Sequence, residues 1–162
     1  MKEWIPVISA LLGVVAGGGI SVLNTRLQEK DQERRDRKKL ILEKLERLHE
    51  VISEYVAAYR KIAADAMRFE LTGEFKRGLE PIPLREILML TGFYVPELKS
   101  ELKKIQDLCT VFSELLLEWM DAQDVPEQRK KAAGKLILLA GEIAKQCERF
   151  QEEVVRISNR YI

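Results

Sequence analysis

Histidine occurs once in these 162 residues, at position 49, and cysteine twice, at 109 and 147. That scarcity removes most site chemistry at the outset. Metal sites built on thiolate and imidazole need clustered ligands, and the chain has neither a CxxC pair nor a second histidine. Glu46 and His49 do form the Glu-x-x-His pair of di-iron bundles. That centre needs a second such pair and further carboxylates, so no metal site is expected within one chain. A Ser-His-Asp or Cys-His arrangement would have to use His49, and no spacing in the sequence brings a nucleophile to it. No GxxxxGK[ST] loop and no GxGxxG turn is present to cradle phosphate. These absences predict a protein that is not an enzyme and carries no cofactor. An excess of either charge is missing too: 27 basic residues balance 26 acidic ones. A nucleic-acid partner is therefore not expected. Two cysteines without a framework suit a reducing compartment.

Charge is wholly missing from residues 4–23, WIPVISALLGVVAGGGISVL. At 1.5 Å per residue such a stretch reaches about 30 Å, the thickness of a bilayer's hydrocarbon core. A helix satisfies its own backbone there, which predicts a single transmembrane span. The n-region is short, Lys2 is offset by Glu3, and the apolar run exceeds the usual h-region, so a retained anchor is expected rather than a cleaved signal peptide. Ser9, Gly13, Gly17 and Ser21 recur every four residues around a GxxxG core. Such a ridge lets helix backbones approach closely in lipid, and it predicts self-association.

Past the span, residues 24–39 carry Arg26, Lys30, Arg34, Arg35, Arg37, Lys38 and Lys39, against Lys2 alone on the other flank. The positive-inside rule places the C-terminal part in the cytoplasm, and a bacterial inner membrane is the expected site. Arg34 would lie roughly 16 Å beyond the bilayer edge. The surface potential has decayed by then, so a solvated charged neck is expected rather than a lipid-binding patch. Asp31, Arg34 and Lys38 share one face of it. In an oligomer they would ring the axis, as charged rings do in ion-selective pores.

From residue 41 the pattern is helical throughout. Apolar positions alternate four and three apart at Ile41, Leu45, Leu48, Ile52, Tyr55, Tyr59, Ile62, Ala66 and Phe69, a coiled-coil-like seam. Gly73 reads as its left-handed cap. Residues 84–91 predict a short helix broken at Gly92, and Pro96 opens the next. That helix has the seam Leu98, Leu102, Ile105, Cys109, Phe112, Leu116, Trp119. Asp124 and Glu127 predict a capping box for a last helix carrying Ala133, Leu136, Ala140, Ile143, Cys147, Phe150, Val154, Ile157 and Tyr161. Cys109 and Cys147 fall about 12 Å apart along such a hairpin, too far for a disulfide.

The expected fold is all-α. A transmembrane anchor (1–23) and a charged helical neck (24–39) lead into a cytoplasmic antiparallel bundle of three long helices plus one short (40–162). The function this predicts is homo-oligomeric assembly of a single-pass membrane protein whose partners are the bilayer and its own copies. An oligomeric pore-forming or membrane-perturbing effector, of toxin or phage-defence type, is the first alternative. The second is an adaptor that docks a soluble protein on the apolar segment 82–95, through Leu84, Ile87, Leu88, Phe93 and Tyr94.

Overall fold

No glycine or proline interrupts residues 24–72, and Ala, Leu, Glu, Lys and Arg dominate them. Without a breaker such a sequence has no reason to leave the helical state. The computed structural model describes residues 4–73, 82–122 and 125–162, with side chains from Thr25 onward. The first helix, α1, runs Trp4–Thr72. Three more follow: α2 (Leu84–Tyr94), α3 (Lys99–Asp121) and α4 (Pro126–Ser158). The protein is all-α, and no strand occurs among the described residues. The chain divides into two compact units, Met1–Leu40 and Ile41–Ile162.

In the first unit every side chain from Thr25 to Leu40 is exposed. Local contacts suffice to hold a helix there: Gln32 Nε2 donates to Asp36 Oδ1 at 3.1 Å, and Arg35 Nε to the Asp31 carbonyl at 3.3 Å. Both are one-turn contacts of the kind that stabilise an isolated helix. Among the described residues no helix is long and apolar enough to cross a membrane. The expected span at 4–23 and its ridge of Ser9, Gly13, Gly17 and Ser21 lie outside the residues whose side chains are described.

The second unit holds the core. Leu45, Leu48, Ile52, Tyr55, Tyr59 and Ala66 of α1 are buried, as the four-three spacing predicts, and so are Val51, Ala58 and Ala63. The buried stripe is wider than a two-helix seam because α1 contacts both α3 and α4. Those helices contribute Leu102, Ile105, Cys109, Phe112 and Trp119, then Leu136, Ala140, Ile143, Cys147, Phe150 and Val154. Both thiols are free.

Side-chain contacts give the directions. Along α1 and α3, Tyr55 meets Cys109, Tyr59 meets Phe112, and Phe69 meets Trp119. The numbers rise together, so these two helices are parallel. Along α1 and α4, His49 meets Gln151 and Glu70 meets Arg129, an antiparallel pair. Glu101 bonds to Gln146 near the open end of the α3–α4 hairpin, which is antiparallel as expected. The fully antiparallel bundle is thus corrected: α1 and α3 run the same way, because Glu86 of α2 pairs with Arg47 near the start of the α1 core and α3 sets out from that same end.

Four expected boundaries bear on this arrangement. Gly73 adopts φ 70° and its N–H bonds to the Phe69 carbonyl at 2.8 Å, the left-handed cap that ends α1. Gly92 does not break α2, which continues to Tyr94. Burial of Leu90, Thr91 and Val95 around it outweighs a penalty of about 1 kcal/mol for glycine in a helix. Pro96 opens a single 3-10 turn, Pro96–Leu98, before α3. At α4 the cap is Val125, with Pro126 in the first turn, where its fixed φ and absent N–H fit. The expected capping box rests on Asp124, which lies outside the described residues.

Candidate functional site

The sequence marks two features for interaction within the described residues, and the structure treats them differently. In the neck, Asp31, Arg34 and Lys38 are all exposed. Their spacing of three and four residues puts them on one side of the helix.

The apolar segment 82–95 is divided by α2's own periodicity. Ile87 is 2% exposed and Leu90, Thr91 and Val95 are equally enclosed, so this face belongs to the core. Leu84 and Tyr94 are half-buried against it. Leu88, Met89 and Phe93 point the other way, and Phe93 is 78% exposed. A surface of five predicted residues therefore reduces to Leu88 and Phe93, with Met89 added. The sequence signal for this split was the i, i+3, i+4 set of Ile87, Leu90 and Thr91, in which threonine takes a core position.

An ion cluster fixes α2 in place. Arg47 of α1 donates from Nε to Glu86 Oε1 at 2.8 Å and from Nη2 to Glu86 Oε2 at 3.2 Å, a two-pronged pairing that sets α2's orientation. Glu50 and Glu54 also accept from its Nη1. The bond to Glu86, reinforced by Glu50 and Glu54, raises the Arg47 guanidinium further above its ordinary range.

Behind α2's exposed face and against α3 lies a groove of about 500 Å³. Leu88, Thr91 and Gly92 line it from α2, and Lys99, Leu102, Lys103, Gln106 and Asp107 from α3. The Thr91 hydroxyl is fully buried and has no hydrogen-bond partner among the described residues. A Cβ built at Gly92 would meet nothing within 4 Å, so the fold itself does not need glycine there. Gly92 lines the groove without a side chain. A second hollow of about 400 Å³ lies between α1 and α4, lined by Leu45, Glu46, His49, Glu50, Val154 and Ser158 among others. His49 is exposed, and it is its carbonyl, not its ring, that accepts the 2.9 Å bond from Gln151. Among the described residues no cluster of His, Cys, Asp or Glu could hold a metal ion.

Two interior polar groups escaped the sequence reading. Glu70, 5% exposed at its side chain, accepts at Oε1 from Trp119 Nε1 at 3.0 Å and from Arg129 Nε at 2.7 Å, so it ties all three long helices together. Arg129 also stacks over the Phe69 ring, 5.0 Å from its centroid. In mid-bundle, the Tyr55 hydroxyl donates to Cys109 Sγ at 2.9 Å. Burial, and next the bond to Cys109, raises the Tyr55 phenol well above its ordinary value; burial likewise raises Tyr59 and Cys109 and pushes Cys147 up to about 12. These groups stay protonated at neutral pH, which is the condition of structural thiols and phenols rather than of nucleophiles.

The described surface thus offers a basic-rimmed groove, an apolar ridge beside it and a charged neck. No protein-family model, no curated protein and no solved structure matches this chain.

Proposed function

We propose that this chain is a non-enzymatic, single-pass membrane protein that assembles with its own copies, its helical bundle lying on the cytoplasmic side of a bacterial inner membrane. One observation carries the reading: twenty consecutive residues, 4–23, without a charge and with Ser9, Gly13, Gly17 and Ser21 on one ridge. A continuous helical backbone through this stretch is consistent with it. Small residues at every fourth position favour close helix–helix packing in lipid, where burial of apolar surface supplies no drive. The bundle adds a folded mass that each copy carries on its anchor.

The test is the mass of the full-length protein in detergent. Replacing Gly13 and Gly17 by Ile should lower the oligomer order. An unchanged order would remove the ridge from the argument, and a wild-type monomer would end the assembly reading altogether.

The pore alternative draws support from one feature, the exposure of Asp31, Arg34 and Lys38 on a single side of the neck. Conductance of the full chain in planar bilayers, altered when Arg34 and Lys38 become glutamates, would favour it over simple assembly. A non-conducting oligomer would sink it.

A further inference from the structure

An apolar strip runs along the outer side of the α3–α4 hairpin. The Glu101–Gln146 bond sets the hairpin's register, so each step forward along α3 matches one step back along α4. Leu108 and Leu115 follow Glu101 at intervals of seven, on the side of α3 that meets α4, and both are half-buried. Leu139 is half-buried on the facing side of α4. Outside them stand Val111, 51% exposed, and Leu138, 72% exposed. Val111 is level with Leu136, so Leu138 lies two residues, roughly 3 Å, from it along the axis. Lys103 and Asp107 line the groove toward α2 instead.

Charge flanks this strip with opposite sign on the two helices. On α3 and the turn before it, Glu97, Glu114 and Glu118 are exposed, and Glu101 holds Lys104 at 2.6 Å. On α4, Lys131, Lys135, Lys145 and Arg149 are exposed, with Glu142 between the second and third of them. Apart from the Glu101–Lys104 pair, none of these charges is in an ion pair among the described residues. An acidic flank and a basic flank side by side make a face that fits a copy of itself. Half a turn about an axis parallel to the helices sets α3 of one copy against α4 of the other and leaves every level unchanged. Each contact then occurs twice and the pair closes, as a two-fold requires. Both copies also keep the Ile41 end of α1 on the same side, as two chains anchored in one bilayer must.

We infer that a second copy of this chain docks on this face, α3 against α4, about an axis parallel to both. Val111 then meets the second copy's Leu138 over the strip of Leu108, Leu115 and Leu139. Toward the hairpin tip, Glu114 comes within two residues of the level of the second copy's Lys135, and Glu118 of its Lys131. Toward the open end, Glu101 comes within one residue of its Lys145, Lys104 of its Glu142 and Glu97 of its Arg149. The two exposed apolar side chains leave water together at the centre, and the charges around them gain partners at the rim, the usual anatomy of an interface. The inference deepens the self-association reading and rests on it for the presence of a second copy, but it names a different contact, in the bundle rather than in the anchor.

Both native thiols are buried, so cysteines placed on the surface are the accessible ones. Two differently tagged full-length chains, one with Val111→Cys and one with Leu138→Cys, are co-expressed and mildly oxidised in detergent. They should form a disulfide that carries both tags. Facing helices pack about 8–10 Å apart, which brings these positions toward the roughly 7 Å between Cα atoms that the bond needs. Val155→Cys in place of Leu138→Cys should not form it, because Val155 is exposed 17 residues, roughly 25 Å, further along α4. Glu114→Lys and Glu118→Lys in both chains should cut the mixed disulfide roughly tenfold by setting lysine against lysine. Keeping that pair of changes in the Val111→Cys chain alone, with Lys131→Glu and Lys135→Glu in the Leu138→Cys chain, should restore it. Each chain's own hairpin then stays like-charged, so the recovery comes from contact between chains and not from folding. An oligomer whose mixed disulfide is no stronger than the Val155→Cys control, or a reversal that is not rescued between chains, would overturn this contact and leave self-association standing. A wild-type monomer would overturn both.

Discussion

Within the single helix α1, residues 25–40 and residues 41–72 solve different problems. The first stretch buries nothing: its helicity rests on propensity, on the absence of glycine and proline, and on one-turn contacts such as Gln32 to Asp36. The second stretch has comparable propensity but carries nine core side chains, from Leu45 to Ala66. The boundary falls where charge leaves the seam positions, Asp31, Arg34 and Lys38 giving way to Ile41 and Leu45. Helix formation and core formation are therefore separable, and the sequence switches the second on without changing the first.

That contrast can be broken most directly by the same substitution made on each side of the boundary. Leu48→Ala, at a site with no exposure, should cost about 2–5 kcal/mol by loss of buried surface and the cavity it leaves. Leu27→Ala, at a site 60% exposed, should fall within about 0.5 kcal/mol. Denaturant midpoints of the full chain measure both, and equal effects would erase the distinction.

Charge sharpens it next. Asp31 is exposed and its removal should be nearly silent, whereas Glu70→Ala leaves Arg129 and Trp119 without their shared acceptor. Deleting one member of a buried pair costs about 3 kcal/mol or more. Glu70→Leu combined with Arg129→Met should recover much of that loss. If the double variant is no better than the single, the cost lies in packing rather than in the lost ion pair.

Alkaline pH gives the broadest effect, and it acts on the bundle alone. The Cys147 thiol ionises near 9 in the unfolded chain and near 12 in the folded one. Between those values the unfolded state releases a proton that the folded state keeps, so stability falls as pH rises through that window and is fully present below it. Burial raises Tyr55 and Tyr59 in the same sense. The urea midpoint should be lower at pH 11 than at pH 8, and Cys147→Ala should shallow the decline. A flat profile would mean that these groups are not held apart from water.

Much of the bundle was legible in the chain because burial leaves a period. Leu102, Ile105, Cys109, Phe112 and Trp119 were named by spacing alone and all are buried, as is the run from Ala133 to Ile157 on α4. Gly73 was legible because few residues other than glycine tolerate positive φ at a helix end. Periodicity is blind to direction, however, so the parallel course of α1 and α3 had no sequence signal. It came out only from pairs such as Tyr59 with Phe112, far apart in the chain. Glu70 was hidden for a related reason. A lone carboxylate reads as surface until Trp119 and Arg129 are known to converge on it. The groove was half legible: the apolar segment was evident, but which of its side chains face inward depended on Gly92 remaining helical.

The parallel pairing of α1 with α3 sets an order of events during synthesis. Between α3 and α4 the partners follow one another through a tight hairpin, but Gln151 stands 102 residues after His49, whose carbonyl it meets. A ribosome adding about 5–20 residues per second needs roughly 5–20 s to deliver that distance. Until α3 and then α4 have been made, the apolar stripe of α1 lacks the surfaces it packs against in the finished bundle, and any factor that shields nascent hydrophobic surface has this stripe as its target. The first helix made is the last to find its place.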